Sequence, residues 1–156
     1  MDRNKFIIQP LIVCAALLGF TLSFVTALDA KTRQKQILPG PFQFDVLDVY
    51  DGDTFTARID IWLGQTVTVK IRLTEIDTPE MRGKCAFETQ LAQQARQFSK
   101  NWLQQEGLVL TNVHYGTYAG RVLATAQTKK GETLSSALLN ANLAKPYLGR
   151  RAQWCN

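Results

Sequence analysis

Thr66-Val-Thr-Val-Lys-Ile-Arg-Leu73 alternates apolar and polar residues and runs on into Thr74-Glu-Ile-Asp-Thr-Pro-Glu80, where acids and a proline end the pattern. A period of two puts Val67, Val69, Ile71 and Leu73 on one face of a strand and Lys70 and Arg72 on the other. Arg72 therefore points away from the apolar side. Asp77, Thr78 and Glu80 fall just past the strand end, where the Pro79 ring fixes the backbone and loop oxygens converge. Some twenty residues upstream, Asp51-Gly-Asp-Thr54 closes another alternating run. Two acidic strand ends joined by a hairpin form a candidate site for a divalent cation and an anion.

Working outward, Phe42 to Tyr50 reads as a first strand, Thr54 to Trp62 as a second and Thr66 to Leu73 as a third, with turns at Asp51-Gly-Asp and Leu63-Gly-Gln. After Pro79 the period changes. Phe87, Leu91, Ala95, Phe98 and Trp102 recur every three or four residues, which predicts a helix with that face in the core and Gln90, Gln93, Gln94 and Gln97 in solvent. Gly107 ends it. Leu108 to Val113 and Arg121 to Thr128 read as fourth and fifth strands around the loop His114-Tyr-Gly-Thr-Tyr-Ala-Gly120. Leu134, Ala137, Leu138 and Ala141 mark a second, shorter helix. Strands, an inserted helix, more strands and a helix predict an α+β domain: a five-stranded OB-type barrel with helices packed outside it.

At the N-terminus, Arg3 and Lys5 precede an apolar run from Phe6 to about Leu28, followed by small residues, the pattern of an export segment. Residues 1–27 are read as a signal peptide with cleavage after Ala27, and the chain as periplasmic or extracellular. The alternative is a membrane anchor formed by residues 6–28, whose length approaches a bilayer span. Residues 28–41, polar, basic and then broken by Pro and Gly, read as a linker, and residues 42–156 as the folded domain. Without residues 1–27 the chain keeps 16 basic against 12 acidic residues, a net charge of +4. That balance favours polyanionic partners without naming one. Cys14 leaves with the export segment. Cys85 and Cys155 remain, and in an oxidising compartment such a pair is expected to be a disulfide rather than a metal site.

A hard cation such as Ca²⁺ takes oxygen ligands, and Asp53, Asp77 and the Thr78 carbonyl supply three. Asp51 is a further ligand or orients one. The same residues have plainer readings, since Asp51-Gly-Asp53 suits an ordinary turn and Thr78-Pro-Glu80 suits a helix start. Together with Arg72 and Arg121, though, they fit a phosphodiester site better. Such a site needs an acid that activates water, which Glu80 suits, and cations aimed at developing charge, which two guanidinium forks suit. The single histidine excludes a catalytic histidine pair, and His114 reads as a surface residue. Arg82-Gly-Lys84 is no phosphate-cradling loop, because it lacks a spaced glycine and a hydroxyl residue.

These residues resemble the staphylococcal nuclease-like (thermonuclease) family. The likeness rests on Val49-Tyr-Asp-Gly-Asp-Thr54, Arg72-Leu-Thr-Glu-Ile-Asp-Thr-Pro-Glu80, Tyr118-Ala-Gly-Arg-Val-Leu-Ala124 and Leu138-Leu-Asn-Ala-Asn-Leu-Ala-Lys145, and covers roughly Phe44 to Tyr147. It implies an OB-fold barrel with three helices and Ca²⁺-dependent hydrolysis of DNA and RNA that leaves 3′-phosphate ends. It further implies Asp53, Asp77 and the Thr78 carbonyl as calcium ligands, Glu80 as the acid acting on water, and Arg72 and Arg121 as phosphate-binding residues. Tyr118 and Tyr147 are candidate nucleic-acid contacts. The chain departs from the family in three places: the loop after Glu80 is short, Tyr118-Ala-Gly-Arg121 carries one extra residue, and a deletion falls between Lys145 and Tyr147. Cys85 and Cys155 resemble the cysteines of a secreted bacterial subset.

The expected protein is an exported, metal-dependent nuclease of little sequence preference, monomeric, with DNA or RNA as substrate and no protein partner implied. One rival is a silent module of the same fold that holds single strands. The presence of Asp53, Asp77 and Glu80 speaks against it. Another is a structural calcium-binding domain, which would have no use for Arg72 and Arg121.

Overall fold

Nine-residue alternating runs on either side of a two-residue turn make a long hairpin, and the rest of the domain is wrapped around it. A computed structural model describes residues 36–116 and 120–155. The strands are β1 (Ile37–Leu38), β2 (Phe42–Val49), β3 (Thr54–Trp62), β4 (Gln65–Leu73), β5 (Ile76–Asp77), β6 (Val109–Tyr115), β7 (Arg121–Gln127) and β8 (Lys145–Pro146). The helices are α1 (Ala86–Trp102), between β5 and β6, and α2 (Leu134–Asn140), between β7 and β8. β2, β3 and β4 form the antiparallel meander expected. β7 then lies parallel to β4 and antiparallel to β6, and β6 returns to β2, so five strands close a ring with no free edge. This is the five-stranded OB-type barrel.

Inward positions fill it. Phe55, Ala57 and Ile59 of β3, Ile71 and Leu73 of β4, Leu110 of β6, and Ala124 and Ala126 of β7 are buried, and Leu134 and Leu138 of α2 join the same core. Burying each of the larger side chains stabilises the fold by roughly 1.5–3 kcal/mol. Thr133 caps α2 by accepting a hydrogen bond from the Ser136 N–H at 3.0 Å.

Four features differ from the sequence reading. First, the buried face of α1 is Glu88, Ala92, Ala95 and Ser99, while Phe87 is 61% exposed. Small residues win because the helix crosses the backbone of Gly52 too closely for large ones: a Cβ on Gly52 would lie 2.8 Å from the Ala95 Cβ. Phe98 and Trp102 flank this stripe and pack against the core from its side. Second, α1 ends at Trp102, with Leu103 as its cap, and not at Gly107; it begins at Ala86, after Cys85 in extended conformation, so the plainer reading of Thr78-Pro-Glu80 as a helix start does not apply. Third, Ile37–Leu38, inside the stretch read as a linker, pairs with Val113 and His114 of β6. Fourth, the described residues contain two helices where the family resemblance implied three, and the chain after β8 is irregular. The export segment and Tyr118 lie outside the described residues.

Candidate active site

The site forms where β2 turns into β3. Asp51 makes the turn itself, its Oδ1 accepting the Asp53 N–H at 3.1 Å. Ser99 of α1 donates to the Gly52 carbonyl at 2.6 Å and pins the turn beneath the helix. Asp53 is thereby directed at the end of β4, whose Leu73 N–H bonds the Asp53 carbonyl at 2.8 Å. One of its carboxylate oxygens accepts from the Thr54 hydroxyl at 2.8 Å and from Arg72 Nη1 at 2.6 Å. The other accepts the Thr78 N–H at 3.2 Å.

Asp77 reaches the same point from the opposite side. β5 pairs with β8, Asp77 standing opposite Lys145, and this small second sheet sets the carboxylate beside Arg72. Arg72 Nη2 donates to Asp77 Oδ1 at 3.2 Å. Asp77 Oδ2 accepts the N–H of Ala152 in the C-terminal tail at 3.0 Å. One guanidinium thus joins two buried carboxylates, in the forked geometry that lysine cannot supply. Three acids around one cation leave an excess of negative charge. Burial, and then the charge of Asp53, pushes the Asp51 carboxyl up to about 7, with Glu80 adding to the effect.

Glu80, half-buried, follows the buried Thr78 and Pro79, and its backbone is held by a residue the sequence reading did not single out. Glu88, buried in the first turn of α1, accepts the N–H of Glu80 at 3.3 Å and of Lys84 at 2.8 Å, and pairs with Arg151. Burial works to raise its pKa, but the two N–H donors and the Arg151 charge outweigh it and hold the carboxyl below its usual value. A Cβ on Gly83 would lie 2.8 Å from the Glu88 side chain, so glycine is what lets the loop fold over it. The signal that was available is the spacing of Glu88, Ala92 and Ser99, each one position after a residue of the aromatic stripe, with Ala95 common to both.

Cys85 and Cys155 are bridged, with sulfurs 2.09 Å apart. Cys155 Sγ lies 3.6 Å from Glu88 Oε2, a contact rather than a hydrogen bond because the bridged sulfur has no proton. Cys85, Glu88 and Cys155 are close enough to suggest a metal site, but both sulfurs are spent in the bridge. Arg121 opens β7 in parallel register with Lys70. Alternation therefore puts Lys70, Arg72 and Arg121 on the outer face of the β4–β7 pair, the Arg72 and Arg121 backbones roughly 8 Å apart by strand geometry. Tyr147 is half-exposed just after β8, its N–H bonded to the Glu75 carbonyl at 2.9 Å. His114 turns its ring to the Asn112 carbonyl at 2.7 Å, on β6.

The donor set at Asp53 and Asp77 is oxygen alone, which fits a hard cation. Asp53 Oδ1 already accepts two hydrogen bonds, while Asp53 Oδ2 and both oxygens of Asp77 accept one each and keep lone-pair capacity. The family model described as staphylococcal nuclease homologue matches residues 70–154, more than half of the chain. The chain belongs to the staphylococcal nuclease homologues. The matched stretch includes Arg72, Asp77, Thr78, Glu80, Cys85, Glu88 and Arg121, while Asp51 and Asp53 precede it and Cys155 follows it. No curated protein gives a significant match.

Proposed function

We propose that this nuclease homologue is a calcium-dependent phosphodiesterase that cleaves DNA or RNA with little sequence preference and leaves 3′-phosphate ends. The observation that carries the reading is the Arg72 fork across Asp53 and Asp77, with Glu80 in the loop that follows. Asp53, Asp77 and the Thr78 carbonyl would hold the cation. A bound calcium ion would supply positive charge to the phosphate and to the leaving oxygen.

The chain's own residues do the rest. Glu80 orients a water and takes its proton as the water oxygen bonds to phosphorus. The bond from phosphorus to the 5′ oxygen breaks, and that oxygen takes a proton from solvent. Arg72 and Arg121 stabilise the charge on the equatorial oxygens. Two of the five N–H donors of Arg72 account for its carboxylate contacts, which leaves donors for phosphate. Asp51 orients Asp53 through the turn. Tyr147, half-exposed just after β8, offers a ring for base stacking.

We also propose that the chain is exported, because a bridged cysteine pair suits an oxidising compartment and the N-terminal residues carry the export pattern. The functional reading is tested by incubating plasmid DNA with the protein in calcium or in chelator. Degradation in calcium alone, with 3′-phosphate termini, is the expected result. Binding without degradation in either buffer would replace the enzyme with a binding module.

A further inference from the structure

The β3–β4 hairpin is longer than the barrel that holds it. β7 pairs with β4 only over Lys70–Leu73, and β2 pairs with β3 only as far as Ile59. Beyond those points the inward-facing pattern continues, so Ile61 and Val67 occupy core positions with no core left to fill. The tip adds Trp62, 73% exposed, and Leu63, 89% exposed. Leu38 of β1 and Tyr115 of β6, itself 77% exposed, face the same opening, a groove of about 320 Å³. A cluster of this size and exposure marks a contact surface rather than the scattered apolar residues of an ordinary exterior.

Two features say what covers it. The described chain begins at Gln36, which lines this groove, and Lys31, Arg33 and Lys35 directly precede it in the sequence. Aromatic and aliphatic side chains on a hairpin tip, together with a run of cations that adjoins a groove residue in the sequence, match the chemistry of an anionic bilayer: Trp at headgroup level, Leu and Ile below it, Lys and Arg on the phosphates. In the sequence, seven residues separate the apolar run from Phe6 to Leu28 from Gln36. No helix among the described residues can cross a membrane, so contact would be through the tip alone.

We infer that the hairpin end of the barrel docks on an anionic lipid bilayer, inserting Trp62 and Leu63. Thr54 and Arg72 pair at the other end of the same hairpin, eight residue steps, or about 26 Å, from Trp62. The docked domain would hold its acidic cluster away from the lipid, open to long substrates.

The test uses the full chain in vesicles of mixed phosphatidylcholine and phosphatidylglycerol, with brominated acyl chains in one set. The protein has three tryptophans, Trp62, Trp102 and Trp154, and none lies in the export segment, so that segment cannot produce a quenching signal itself. Bromolipid should quench the wild-type fluorescence, and Trp62→Phe should lose most of that quenching while degrading plasmid DNA at the wild-type rate. Leu63→Asp should shift the remaining emission little but reduce quenching of Trp62. Equal quenching in wild type and Trp62→Phe, or none in either, overturns the inference. Concentration-dependent dimerisation without lipid, abolished by Leu63→Asp, overturns it in favour of a second copy on the same face.

Discussion

Arg72 donates to Asp53 at 2.6 Å across the paired ends of β3 and β4, and its second nitrogen reaches Asp77 at 3.2 Å, so one side chain holds both acidic strand ends together. With Asp53 almost wholly buried, removing the fork leaves charge without a partner. Arg72→Lys is expected to cost about 1–3 kcal/mol of stability in chelator. Calcium should restore part of it, because a cation between the carboxylates replaces the missing donor. In kinetics, kcat and kcat/KM should fall together. Thermal melts with and without calcium, beside steady-state assays, check both halves; unchanged melts in chelator would sink the first.

The two acids have separable roles. Asp53→Ala should raise the calcium concentration needed for half-maximal activity, since a ligand is lost. Glu80→Gln keeps the shape of the side chain and should lower kcat by about 10² or more with calcium affinity almost unchanged. Titrating calcium directly by calorimetry separates the two. A nearly fully active Glu80→Gln would refute the proposed hydrolysis.

Glu88 joins the loop of Glu80 to the C-terminal tail. Glu88→Ala leaves the part-buried N–H groups of Glu80 and Lys84 and the Arg151 guanidinium without their acceptor, an expected loss of about 1–3 kcal/mol. Its folded pKa lies below the unfolded value of about 4.3, so its charged form stabilises the fold above that value. The advantage of wild type over Glu88→Gln should be full at pH 7, shrink below about pH 4.3 and vanish as pH falls through the folded pKa. Denaturant midpoints measured from pH 7 downward give the curve. A difference that grew on acidification would show the opposite sign.

Most of this architecture is legible in residue order, for reasons that also explain what is not. β3 and β4 declare themselves because each strand has one face in the core, so Phe55, Ala57, Ile59 and Val69, Ile71, Leu73 alternate with polar residues. Asp53, Asp77 and Glu80 stand at the ends of such runs and are found by position. β1, β5 and β8 have two residues each, too few for any period, and exist only because distant strands offer backbone partners. Glu88 was hidden for a similar reason. Its partners are a loop and a tail, and charge on a helix face ordinarily means solvent, until Arg151 arrives from 63 residues away.

The Cys85–Cys155 bridge closes a loop of 70 residues, and loop-closure entropy predicts a stabilisation of about 4 kcal/mol. Thiol labelling of the native oxidised protein should find no reactive cysteine in the domain. Replacing both cysteines by serine should lower the denaturant midpoint accordingly. An unchanged midpoint would mean the tail is held as firmly by Arg151 and Ala152 alone.

Nucleic-acid binding in chelator should be weak and should weaken further with salt, because a net charge of +5, or +4 without residues 1–27, displaces few counterions. Fluorescence titration at two salt concentrations measures the slope. Tight, salt-independent binding would point to stacking on exposed rings such as Tyr147.

Asp77 receives its last hydrogen bond from Ala152, 75 residues further along the chain. The acids, the arginines and the long hairpin are all made well before that amide exists. A nascent chain halted anywhere between them would carry every reactive group yet lack the tail that holds Asp77 and, through Arg151, Glu88. The arrangement that holds Asp77 and Glu88 is therefore completed last, in time as well as in sequence.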